Sequence, residues 1–102
     1  AVKSMYAACD TVLKRNNMDI HSVDWLVTHQ ANMRIIEALG KRMKVDKEKV
    51  IVNIEKYANT SAATIPIALD EAVRANKVRK GDIVLMASFG AGLTSGSLLI
   101  RY

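Results

Sequence analysis

Residues 23–32 read Val-Asp-Trp-Leu-Val-Thr-His-Gln-Ala-Asn, and the parsing of this stretch decides the fold. Trp25, Leu26 and Val27 form an apolar run too short for a helix and rich enough for a buried strand. Thr28 ends the run. From Ala31 the apolar spacing becomes helical, so His29 falls where a strand feeds a helix. In an open α/β sheet, ligands collect at the carboxyl ends of the strands. A histidine there can titrate near neutral pH or donate a hydrogen bond from a neutral ring. Taken alone, such a histidine is more often structural than chemical; the segments around it give it weight.

Upstream, residues 1–17 read as an amphipathic helix. Val2, Met5, Tyr6, Cys9, Val12 and Leu13 recur at three- and four-residue steps and form one stripe. Cys9 lies inside that stripe and reads as a small buried hydrophobe rather than a nucleophile. No capping residue precedes Ala1, so the chain is expected to be cut at its start. Asn16 and Asn17 close the helix, and residues 18–22 form a polar bridge with a solvated His21.

Downstream, a second helix is expected over about residues 30–44, with Asn32, Ile35, Ile36, Leu39 and Met43 on one face. Asn32 then heads a buried stripe one turn from His29, and a buried amide needs partners or a ligand. Arg34, Lys41 and Lys44 share the opposite side, with Arg42 close by and Glu37 interrupting. That side is either a solvated face or a docking surface for an acidic partner. Residues 45–49 read as a charged turn with Asp46 as cap, and 50–54 as a second buried strand. Asn59, Thr60 and Ser61 are good caps for a third helix with Ala62, Ile65, Leu69, Ala72 and Val73 inward and Pro66 in its early turns. Asn59 therefore occupies a second strand-to-helix junction, at the same sheet edge as His29. Residues 79–82 make a turn and 83–87 a third strand. Residues 88–96 read as a Gly-rich loop, whose backbone N–H groups can approach a ligand without side-chain obstruction. Residues 98–102 form a last strand, antiparallel because the connection is short. Gly-x-Gly followed by a strand does not fit a dinucleotide fingerprint, which needs a helix next; an oxyanion site or a tight bend fits better.

The 102 residues suffice for one domain, half of them apolar and a quarter charged. No apolar run is long enough to span a bilayer. The single cysteine excludes an internal disulfide and fits a reducing, cytoplasmic setting. A net charge of +5 gives some attraction for acidic partners. Nucleic acid is not favoured, with one Trp, three Tyr, one Phe and no dense basic block. No second histidine or carboxylate stands at ligand spacing from His29, which argues against a metal. No serine stands in a nucleophile elbow. Three strand ends offer a histidine, an asparagine and a run of backbone donors, a set without a nucleophile but suited to a developing oxyanion.

Three segments carry a resemblance: residues 24–32 (Asp-Trp-Leu-Val-Thr-His-Gln-Ala-Asn), 57–63 (Tyr-Ala-Asn-Thr-Ser-Ala-Ala) and 89–96 (Phe-Gly-Ala-Gly-Leu-Thr-Ser-Gly). Together, in this order and spacing, they resemble the C-terminal half of the β-ketoacyl-acyl carrier protein synthase III family, the condensing enzymes that start fatty-acid chains. The resemblance implies an α/β thiolase-like fold in α/β/α layers, with a mixed sheet and an antiparallel last strand, residues 1–102 forming a partial C-terminal domain. It implies a Cys-His-Asn site in which His29 and Asn59 donate hydrogen bonds to the malonyl thioester carbonyl, with the Ala91 backbone N–H in the oxyanion hole. Asn32, Phe89 and Gly90 match substrate-binding positions. Arg34, with Lys41 and Arg42, matches the docking surface for an acidic acyl carrier protein. The resemblance also implies coenzyme A and phosphopantetheine thioesters as substrates, no further cofactor, and a homodimer for the full-length enzyme.

The sequence departs from the family at Ala58 for the usual Gly, Ala91 for Gly, Ser95 for Trp and Thr28 for Pro. The family's nucleophilic cysteine lies in an N-terminal half that these residues lack, and Cys9 does not match it. The isolated chain is therefore expected to be inactive. The family's first strand of this half is expected centrally, between residues 25–28 and 83–88, so the sheet should show a gap or fill it from another chain. Two other readings stay open: a non-catalytic carrier-binding module, and a related condensing enzyme of secondary metabolism.

Overall fold

The computed structural model describes residues 2–29, 32–52, 64–90 and 94–102. Among the described residues, three helices and four strands follow in the order α1 (Val2–Arg15), β1 (Trp25–Thr28), α2 (Met33–Met43), β2 (Val50–Ile51), α3 (Thr64–Arg74), β3 (Ile83–Gly90) and β4 (Thr94–Arg101). The apolar stripe of the first helix is real, with Met5, Cys9 and Leu13 buried. Asn17 ends it in the left-handed conformation, φ 54°, which asparagine tolerates better than most residues.

The strands lie in the order β2-β1-β3-β4. β1 pairs in parallel with β2 on one side and with β3 on the other; β3 and β4 form an antiparallel hairpin. Successive side chains of β1 alternate between two cores. Leu26 faces a cluster under α1 with Met5, Cys9, Leu39 and Leu85. Val27 faces a second cluster with Ala68, Ala72 and Val84 under α3. Right-handed crossovers account for these layers. The chain steps one way from β1 to β2 and back the other way to β3, so α2 and α3 fall on opposite faces. Burial on both faces explains why β1 is apolar without alternation.

Three expectations are corrected. No gap separates β1 from β3: Trp25 to Thr28 pair with Val84, Leu85, Met86 and Ala87 in register, so the central place assigned to an absent strand is occupied. The Gly-rich segment is mostly strand. Ser88, Phe89 and Gly90 pair with Gly96, Ser95 and Thr94, because ladder hydrogen bonds outweigh the weak strand preference of glycine. Asp46 stands at the cap position of a 3-10 turn (Lys47–Lys49), but its side chain makes no capping hydrogen bond.

Candidate active site

The carboxyl ends of β1 and β3 are neighbours, and the chain leaves them in opposite directions, β1 toward β2 and β3 toward β4. Such a divergence opens a crevice at the sheet edge. His29 stands there. Its backbone N–H donates to the Ala87 carbonyl at 2.9 Å, extending the parallel ladder one residue past β1. His29 lies two residues beyond Val27, which directs its side chain to the α3 side of the sheet. Its Nδ1 is 2.7 Å from the Thr64 hydroxyl. Phe89, from the end of β3, meets the half-buried imidazole edge-to-face, with ring centroids 5.4 Å apart and planes at 84°. The ring is thus held by a hydroxyl and by an aromatic neighbour. Gly90 ends β3 beside them and is exposed.

The other expected residues divide into three groups. Asn59 and Ala91, the expected catalytic asparagine and oxyanion-hole donor, lie outside the described residues, as does Ala58. Asn32 is corrected: it is exposed rather than buried, and it caps α2. Its backbone is extended, φ −161° and ψ 161°, and its Oδ1 accepts from the Ile35 N–H at 3.0 Å. Holding the first turn of the helix in this way satisfies an otherwise orphaned donor. The basic residues Arg34, Lys41 and Arg42 are all exposed on α2. Arg34 and Lys41 are seven residues apart and share a face, and among the described residues neither is ion-paired. Arg42 turns toward α1, its guanidinium carbon 4.8 Å from the centroid of Tyr6.

Cys9 is fully buried in the core under α1, and burial pushes its thiol up to about 12. A thiol so reluctant to ionise is no nucleophile, as its place in the apolar stripe implied. Thr64, by contrast, was not singled out by sequence reasoning. The signal existed: Thr64, Ala68 and Ala72 repeat every four residues and are the buried side of α3, so a hydroxyl was being placed inward.

A mixed α/β/α sheet with its last strand reversed, and a histidine held at the crevice where the chain diverges, is the C-terminal half of a thiolase-like condensing-enzyme fold. The chain belongs to the 3-oxoacyl-[acyl-carrier-protein] synthase III family: residues 13–102 match the model of its C-terminal region. It is 51% identical over its whole length to the β-ketoacyl-[acyl-carrier-protein] synthase III of Aquifex aeolicus and 52% identical to that of a Wolbachia pipientis strain. It covers 33% and 32% of those proteins, so the chain spans about a third of the length of the curated relatives it matches. The Aquifex aeolicus crystal structure superposes with a TM-score of 0.98 over 100% of this chain and 33% of that one. The Thermus thermophilus enzyme superposes with a TM-score of 0.95 at 42% identity, over 99% of this chain and 32% of that one.

Proposed function

We propose that this chain supplies the decarboxylating half-site of a Claisen condensation that joins an acyl-coenzyme A starter to malonyl-acyl carrier protein. The observation that supports the reading best is the imidazole of His29, held at the sheet edge by Thr64 and Phe89, with no hydrogen bond to its Nε2 among the described residues. The malonyl group loses carbon dioxide by breaking the bond to its carboxylate. The electron pair stays on C2 and spreads to the thioester oxygen as an enolate. His29 Nε2–H and the Asn59 carboxamide donate to that oxygen, and the Ala91 N–H serves the oxyanion of the acyl group under attack. Donors fixed in advance stabilise such charge better than water does. The carbanion then forms a carbon–carbon bond with the acyl carbonyl, and a cysteine thiolate leaves. That cysteine belongs to the part of the enzyme outside these residues. The exposed Arg34 and Lys41 suit an acidic carrier.

The test is a chimaera in which these 102 residues replace the matching third of the Aquifex aeolicus relative. It should condense acyl-coenzyme A with malonyl-acyl carrier protein, whereas the 102 residues alone should not. In the chimaera, His29→Ala should slow malonyl decarboxylation about 100- to 1000-fold, the usual loss for an oxyanion donor, with the circular dichroism of the folded parent retained at the assay temperature. Decarboxylation at the parent rate in that variant would refute the assignment.

A further inference from the structure

We propose that Thr64 is a positioning residue for His29: its hydroxyl donates to Nδ1 and thereby commits the imidazole proton to Nε2. This rests on the reading of His29 as an oxyanion donor. A neutral imidazole has one N–H and one lone pair, and the partner of one nitrogen decides what the other can do. The Nδ1–Oγ1 distance of 2.7 Å is that of a short, well-formed hydrogen bond. A threonine hydroxyl can donate or accept, and the two cases have opposite consequences. If it donates, Nε2 carries the proton and faces the thioester oxygen as a donor. If it accepts, the proton sits on Nδ1 and a lone pair faces an oxygen that is gaining charge.

The surroundings of Thr64 make it a fixed reference point. Thr64 is 2% exposed, and its helix is anchored by Ala68 and Ala72 in the same inward stripe. A β-branched side chain in a helix has few χ1 choices. Putting a hydroxyl where the stripe otherwise carries alanine costs stability unless the group is hydrogen-bonded, and the imidazole is a partner. Phe89 limits tilting of the ring, since its edge-to-face contact is lost on rotation. Thr64 limits which nitrogen carries the proton. The two contacts thus divide the positioning of His29 between ring plane and tautomer.

The experiment uses the same chimaera with histidine-selective 15N labelling. In the parent, His29 Nδ1 should be unprotonated and hydrogen-bonded, and Nε2 protonated. Thr64→Val keeps nearly the same volume without the hydroxyl. It should shift Nδ1 to the position of a free acceptor and lower kcat for malonyl decarboxylation about tenfold, with KM changed less than twofold. Thr64→Ser should restore most of kcat and the Nδ1 shift. A protonated Nδ1 in the parent, or a Thr64→Val variant with parental kcat and Nδ1 shift, overturns the proposal. Should Thr64→Val not fold, Thr64→Ala is read in the same way, and the parent spectrum needs no variant. His29→Ala separates the two readings. If it leaves decarboxylation intact, the functional assignment fails, while the 15N spectra still decide whether Thr64 donates to His29. If it abolishes decarboxylation and Thr64→Val changes nothing, only the role of Thr64 falls.

Discussion

The two ends of the sheet are built on opposite principles. At the amino end, polar groups close on one another. The Asp24 N–H donates to the Ile83 carbonyl at 2.9 Å, and the Ile83 N–H returns a bond to Asp24 Oδ2 at 2.8 Å. Trp25 Nε1 and the Arg79 N–H both donate to Asp82 Oδ2 at 2.9 Å, and the Tyr102 N–H donates to the Asp82 carbonyl at 2.8 Å. Gly81 makes the turn into this cluster at φ 94°, a conformation that favours glycine. At the carboxyl end, His29 is held through one nitrogen and one aromatic contact, and among the described residues its outer nitrogen makes no hydrogen bond. One end spends its polar groups on register and chain closure; the other keeps one in reserve. Changes at the amino end should therefore cost stability and leave chemistry alone, and changes around His29 should do the reverse.

The largest effect that would sharpen this contrast is Trp25→Ala. The indole packs against the cluster under α3 and ties β1 to the turn before β3. Its loss should cost about 2–3 kcal/mol, below the usual value for a fully buried Trp because the ring is half-buried. Thermal unfolding of the chimaera measures it. The kcat for decarboxylation below the transition should stay within a factor of two. A tenfold loss of kcat would break the division between the two ends.

Asp82→Ala comes next and adds a pH dependence. The hydrogen bond from the Arg79 backbone, then that from Trp25, holds the Asp82 carboxyl below its ordinary value of 3.8. A group whose folded value is depressed contributes stability that is fully present above its ordinary value and fades as pH falls through the folded one. The variant should therefore melt lower than the parent at neutral pH, by less than half of the Trp25→Ala deficit. The gap should close progressively below pH 3.8. A gap that stayed constant down to pH 2 would mean that Asp82 acts through packing rather than charge.

The same contrast explains what the sequence could and could not reveal. Elements set by local rules were legible: the stripe of α1, the apolar run of β1, and the inertness of Cys9. The position of His29 at a strand end was legible because a change of apolar period is local. Strand order was not, because it is decided by pairing between residues nearly sixty positions apart, as in Trp25 with Val84. The extent of the β3–β4 hairpin was hidden by glycines, which look like loop in isolation but are stabilised by a partner strand. Asn32 was misplaced by one structural step. Helical spacing cannot tell the first inward residue from the cap that precedes it; the backbone angles can. Thr64 escaped notice because its importance lies in a contact thirty-five residues back, with His29.

The smallest predicted effect concerns Arg42, which separates from the other two basic residues of α2. Arg34 and Lys41 are exposed, and among the described residues neither is ion-paired or stacked on an aromatic ring. Arg42 is stacked over Tyr6 on α1. A guanidinium held against an aromatic face keeps its charge and loses part of its rotamer freedom before any partner arrives. If α2 receives an acidic carrier, Arg42 meets it with less entropy still to lose than Arg34 does. Tyr6→Leu keeps an apolar residue in the stripe of α1 and removes the stack. It should weaken carrier binding by the chimaera about threefold, the scale of an exposed cation–π contact, with kcat unchanged at saturating carrier. Tyr6→Phe, which retains the ring face, should bind like the parent. Equal weakening by Leu and Phe would trace the effect to the phenol hydroxyl instead. No weakening by either would leave Arg42 a structural link between two helices, and the docking surface would reduce to Arg34 and Lys41.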